Sequence, residues 1–324
     1  MSGSRQADLR LVHSASQPGA SAEGTLARIE WTVLRRLDGV LQGNYVTVFR
    51  GFGIDLADLR EYHFGDDART IDWNATARLD APHVRQFNEE REITAWFVID
   101  LSASVNFGAG GRSKRAVAVD FVALVARLLT RHGNRVGALL YSDRVERVLL
   151  ARGGRRHVIH LVDEIQKAGK EPGARTTTRL AEALERALQV IKRRSVVIVV
   201  SDFISEPGWR RALALLGRHH ELLAVRLYDA LEREFPDVGI VIVEDAETGE
   251  QMFVDSHDAA FRRRFAALAG EREHALRAAF ANAGADCIEL ATDSDLVDTL
   301  LRFARLRTRR AQLSSGGVAP ALIR

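Results

Sequence analysis

The run Val196-Val197-Ile198-Val199-Val200 limits the fold more than any other stretch of the chain. Consecutive β-branched residues with no polar alternation describe a strand buried on both faces, which is the situation of a central strand in a parallel sheet covered by helices. The run ends on Ser201-Asp202-Phe203, and a second apolar run, Trp96-Phe97-Val98-Ile99, ends on Asp100-Leu101-Ser102-Ala103-Ser104. Helical periodicity over residues 116–130, with Val117, Phe121, Leu124, Val125 and Leu128 on one face, separates strand-like segments at 135–141 and 145–150. Helix at 207–218 then strand at 221–228 continue the alternation. The prediction is an α/β fold, a doubly wound and mostly parallel sheet.

In such a sheet the parallel strands end at one edge, and the loops leaving them form a crevice. Asp100 and Asp202 close strands, Thr178 opens a predicted helix, and Ser102 and Ser104 follow Asp100 at alternate positions, so all five can share one rim. Hydroxyls and carboxylates with no Cys or His among them suit magnesium, with manganese as a substitute, better than zinc or copper. Asp and Ser at a strand end also serve as plain turn caps, and the five-residue pattern alone does not choose between the two.

The chain has 324 residues, 46% of them hydrophobic, enough for one large or two modest cores. No apolar run approaches the roughly 20 residues of a membrane span. Residues 1–24 read as a disordered lead-in without a secretory h-region, and the lone Cys287 sits in an apolar strand-like context. Both features point to a cytoplasmic protein. The isoelectric point near 9.3 comes with a formal net charge of only +3 and well-mixed signs, so it does not argue for nucleic acid. The basic cluster at 302–310 reads as the solvated face of a last helix.

Further expectations follow along the chain. A helix is predicted over 25–41, a strand over Tyr45-Val46-Thr47-Val48-Phe49, and a dense polar passage over 55–78 that acts either as an ion-pair network or as a recognition surface. The glycine-rich stretch 107–114 is not a phosphate-binding loop, because Ser113 precedes Lys114 and Arg115 follows it. His157, His160 and Glu164 share a helix face without a third ligand of the type zinc uses. A threonine cap is expected to start the helix at 176–184, a hairpin is expected at 240–254, and Ser294 is expected to cap a final helix ending near 307, before a disordered tail at 311–324.

The residues Asp100-Leu101-Ser102-Ala103-Ser104, Thr178 and Asp202 resemble the metal-ion-dependent adhesion site of von Willebrand factor type A domains. Arg60-Glu61-Tyr62 with the stretch 65–78, Tyr228-Asp229-Ala230-Leu231-Glu232-Arg233-Glu234-Phe235-Pro236, and the stretch 245–250 resemble the MoxR-associated, domain-of-unknown-function 58 family. That resemblance covers about residues 25–310. It implies a family-specific N-terminal helix and strand subdomain at 25–92, a von Willebrand factor A-like domain at 93–228, and a C-terminal α/β extension of the same sheet at 229–310. It also implies magnesium held directly by Ser102 and Ser104, with Asp100 and Asp202 acting largely through water and Thr178 joining when ligand binds. Thr177 stands as the alternative threonine, since the usual Gly-Gly lead-in is absent, and Phe203 replaces the usual glycine after Asp202.

The function implied is a non-catalytic adaptor or co-chaperone that grips a partner's carboxylate and works with a MoxR-type AAA+ ATPase on a protein client. The alternative is a magnesium-dependent phosphatase or hydrolase using Asp100. That chemistry wants a second carboxylate two residues on, where this chain has Ser102.

Overall fold

The computed structural model describes residues 9–11, 21–31, 58–62, 71, 82–86, 93–168, 177–246 and 249–314. The chain divides into two compact units, Met1–Arg36 with Thr94–Thr299, and Leu37–Ile93 with Leu300–Arg324.

The first unit is built on a six-stranded sheet. Its strands are β4 (Thr94–Asp100), β5 (Arg135–Tyr141), β6 (Val145–Arg152), β7 (Val196–Ser201), β8 (Glu221–Tyr228) and β11 (Asp286–Ala291), in the order β11-β8-β7-β4-β5-β6. All neighbours are parallel except the edge strand β6, which is antiparallel to β5. Taken in order of appearance the sheet runs 3-2-1-4-5-6, so the order reverses between β4 and β7. That reversal is the switch point where α/β sheets open a crevice. Every residue of β7 is buried, as the unbroken Val/Ile run predicts, and each such aliphatic side chain contributes about 1.5–3 kcal/mol by leaving water.

Helices α1 (Ala22–Ile29), α2 (Lys114–Arg131) and α3 (Arg155–Lys167) pack on one another. Helices α4 (Leu180–Val190), α5 (Trp209–His219) and α6 (Ala259–Ala283) pack in series and share a core with Trp96, Val98, Val197 and Val199. Gly217 permits the close approach of α5 to α6, since a Cβ there would lie 2.0 Å from the carbonyl oxygen of Ala283. A smaller antiparallel sheet, β1-β9-β10, joins β1 (Leu9–Leu11), β9 (Ile240–Asp245) and β10 (Gln251–Asp255). It covers Phe235, with Phe261 and Phe265 of α6 stacked edge-on against that ring.

In the second unit the described strands are β2 (Asp58–Glu61) and β3 (His83–Gln86), an antiparallel pair. Helix α7 (Leu296–Ser314) begins in the first unit and continues into the second.

Several expectations are corrected. Residues 9–11, assigned to a disordered lead-in, form β1 because their backbone completes the edge of β9. Helix α1 starts at Ala22 rather than residue 25, because the Ser21 hydroxyl accepts from the Gly24 amide and caps it. Residues 229–310 do not all extend the central sheet. Only β11 does, while β9 and β10 build the separate small sheet. The last helix is capped by Asp295, which accepts from Val297 and Asp298, whereas Ser294 Oγ accepts from the Ala291 amide behind it. That helix runs on to Ser314, past the expected start of the tail. The strand expected at 45–49 and most of the polar passage at 55–78 lie outside the described residues.

Candidate metal-ion site at the sheet rim

The two central parallel strands end side by side, β4 on Asp100 and β7 on Ser201 just before Asp202. After Asp100 the chain bends sharply because Asp100 Oδ1 accepts the Ser102 amide at 2.9 Å, an Asx-type turn. The turn brings the Ser102 and Ser104 hydroxyls to 3.0 Å from each other. Both serines are buried, as are Asp100, Asp202 and Thr178. All five residues expected to share the rim are thus buried.

Thr178 does not start its helix, which begins two residues later at Leu180. The amide of Leu180 is capped from across the crevice by Ser205 Oγ at 3.0 Å. The Thr178 carbonyl accepts from Ser205 Oγ at 2.8 Å and from the Glu206 amide at 3.0 Å, so this loop is pinned to the one following Asp202. Thr177 is exposed, and its hydroxyl donates to Glu206. Thr178 is buried, so the two threonines differ in exposure. Phe203 occupies the left-handed region with φ of 60°, the conformation that a glycine adopts without strain. Its amide donates to Ser201 Oγ at 2.8 Å, and its ring packs on Trp209 and Phe280, which holds the strained turn in place.

Electrostatics decide what the rim can hold. Burial first, and the neighbouring Asp202 charge second, push Asp100 up to about 7, while hydrogen bonds from Ser201 and Ser102 act in the opposite direction. Asp100 Oδ2 accepts from Ser201 Oγ at 2.7 Å and from the Tyr141 hydroxyl at 3.2 Å.

Lys114, at the start of α2, is the feature that sequence reasoning missed. It is wholly buried, and its Nζ donates to Asp202 Oδ2 at 2.7 Å and to Glu232 Oε1 at 2.6 Å. The other oxygen of Asp202 accepts the Ile204 amide at 3.0 Å. One ammonium thus pairs with two carboxylates, those of Asp202 and Glu232, and Asp100, close enough to feel the Asp202 charge, adds a third acidic group, which leaves room in the charge balance for a divalent cation. The donor set is all oxygen, with two hydroxyls converging and both aspartates already orienting amides, and it fits magnesium or manganese in a role where the carboxylates act through water.

The stretch 228–236 is explained by the same network. Asp229 is buried and accepts from the Ala109 amide at 2.9 Å, the Leu231 amide at 3.0 Å and the Thr292 hydroxyl at 2.6 Å. Glu232 turns one oxygen to Lys114 and the other to the Asp229 amide at 3.4 Å. Arg233 stacks 3.9 Å from the Tyr228 ring and pairs with Glu289 at 3.0 Å. On the helix of the histidines, His160, Asp163 and Glu164 bring one potential ligand atom each to within 4.8 Å of one another, but their groups are otherwise engaged. His157 Nε2 is bonded to the Val136 carbonyl at 2.8 Å, and near His160 the carboxylates of Asp163 and Glu164 are paired with Lys167 and Arg147.

Fold and rim together define an α/β protein whose central parallel strands end on buried polar residues. Residues 58–275 match the family described as protein of unknown function DUF58, and the chain belongs to that family. It is 36% identical to the uncharacterized protein Rv1480 of Mycobacterium tuberculosis over 286 residues, covering 88% of this chain and 90% of that one. It is 32% identical over 162 residues to the uncharacterized protein MAV169 of Mycobacterium avium, covering 50% of this chain and 94% of that one. Among solved structures, the hypothetical protein BatB from Bacteroides thetaiotaomicron aligns with a TM-score of 0.43 at 11% identity, covering 68% of this chain and 99% of that one. The VWA domain of SpRpn10 aligns with a TM-score of 0.34 at 10% identity, covering 64% and 93%. Among the described residues, no helix is long and apolar enough to cross a membrane.

Proposed function

We propose that the rim is a divalent-cation site of the adhesion type and that the protein is a non-catalytic interaction module. The observation that carries this reading is the convergence of the Ser102 and Ser104 hydroxyls at 3.0 Å beside two buried aspartates, Asp100 and the lysine-paired Asp202. Ser102 and Ser104 would hold magnesium, or manganese in its place. Asp100 and Asp202 would act through water, and Thr178 would join from the opposite loop. The ion supplies a positive centre to which a partner's carboxylate can bind. This chain's residues fix the hydroxyls, keep bulk water out and leave the outer side of the rim to the partner.

The partner in this reading is a MoxR-type AAA+ ATPase, with the protein serving as adaptor or co-chaperone toward a protein client in the cytoplasm. Hydrolase chemistry finds less support. Both oxygens of Asp100 are engaged by Ser102, Ser201 and Tyr141, and a serine stands where a general acid is wanted. The test is retention of a purified MoxR-type ATPase by immobilised full-length protein in magnesium and in EDTA, for wild type, Asp100→Ala and Ser102→Ala. Retention only by metal-loaded wild type supports the reading. Retention indifferent to metal and to both substitutions ends it.

A further inference from the structure

The small sheet leaves a different surface to account for. In the β9–β10 register Ile240 stands opposite Asp255, Ile242 opposite Phe253, and Glu244 opposite Gln251. Directly opposed residues share a face, so Ile240, Ile242 and Phe253 form one apolar row. The other face carries Val243 and Val254 into the core around Phe235. The outward row is open to solvent, with Ile240 and Phe253 each 76% exposed and Ile242 40% exposed; Val238, just before β9, is also exposed, and Met252 is exposed on the opposite face, across from Val243. Half of the large hydrophobic residues exposed in the described structure thus gather on one hairpin, a concentration that marks interaction surfaces.

The charge around the row selects the partner. On the outward face stand Glu244 and Asp255, Glu250 is exposed next to Gln251, and strands β9 and β10 contain no Lys, Arg or His. Arg10 of β1, in register with Glu244, is the one basic residue of the three strands. Elsewhere the chain is net basic, so this acidity is local. An acidic rim repels phospholipid headgroups and nucleic acid, and favours a polypeptide that offers apolar anchors between basic side chains.

We propose that the outward face of β9 and β10 is a docking surface for a cationic, apolar-bearing segment of a partner protein, with Phe253 and Ile240 as its anchors. The surface shares no residue with the rim site and does not rest on the metal reading. Its test uses the full chain and a fluorescent synthetic peptide of alternating arginine and valine, followed by anisotropy, with an alternating glutamate and valine peptide as control. The basic peptide is expected to bind wild type and to bind Phe253→Ser and Ile240→Ser about tenfold more weakly. Both positions are exposed, so unchanged melting curves separate lost contact from lost fold. Equal affinity for wild type and both variants overturns the proposal, because charge alone would then explain binding. So does preferential binding to phosphatidylglycerol vesicles, or a wild-type dimer in sedimentation that Phe253→Ser abolishes, since a second copy would then be the occupant.

Discussion

Replacing Lys114 with methionine keeps the length of the side chain and removes its charge. The ammonium it deletes lies 2.7 Å from Asp202 and 2.6 Å from Glu232, with side-chain exposures of 0% for Lys114, 1% for Asp202 and 9% for Glu232. Neither carboxylate can recover its hydration without opening the rim. Removing one partner from a buried ion pair costs about 3–5 kcal/mol, several times the value of a surface pair. With a urea dependence of about 2–3 kcal/mol per molar, the unfolding midpoint falls by about 1–2.5 M. The assay is urea unfolding in EDTA, followed by fluorescence of the buried Trp96 and Trp209. Lys114→Arg is expected to rescue only part of the loss, since a planar guanidinium does not fit a seat built for a compact ammonium. A Lys114→Met midpoint within about 0.3 M of wild type would refute the reasoning, because the lysine would then not be the charge on which the two carboxylates depend.

Three further outcomes follow. Asp100 is held up to about 7, against an ordinary carboxyl value of 3.8, so the folded state keeps its proton longer than the unfolded chain. In EDTA, stability therefore falls as pH rises from about 4 to about 7, and the melting-temperature gain on adding magnesium is larger at about pH 8 than at about pH 6. Thr178→Ala is expected to destabilise by about 1–2 kcal/mol because it alters a wholly buried position, while Thr177→Ala stays within about 0.5 kcal/mol in chemical denaturation. Gly217→Ala places a Cβ 2.0 Å from the Ala283 carbonyl and is expected to cost about 1–3 kcal/mol by forcing α5 and α6 apart, read as a lowered melting temperature.

The doubly wound sheet was legible because β4 and β7 are written as unbroken apolar runs that no exposed strand could carry. The rim residues were legible for a related reason, since a polar residue that ends such a run must emerge where the parallel strands stop. Lys114 was not, because its partners are 88 and 118 residues away, and no local period records so long a contact. A signal was nonetheless present. Lysine is scarce in this arginine-rich chain, and one stands in the first turn of the helix that follows the serine loop. Strand β1 escaped notice because three residues carry too little pattern, and its place depends on the edge of β9. The helix start after Thr178 was misplaced because its cap, Ser205, comes from another loop rather than from the chain just before it.

The claim on which the functional reading rests is that the rim binds a hard divalent cation through its hydroxyls. Titration of manganese into the full chain, followed by electron paramagnetic resonance, tests it without a partner. The account predicts saturable binding to wild type, competed by magnesium, and weakened about tenfold or more by joint Ser102→Ala and Ser104→Ala substitution. Equal binding by the double variant, or no binding by folded wild type, would contradict it.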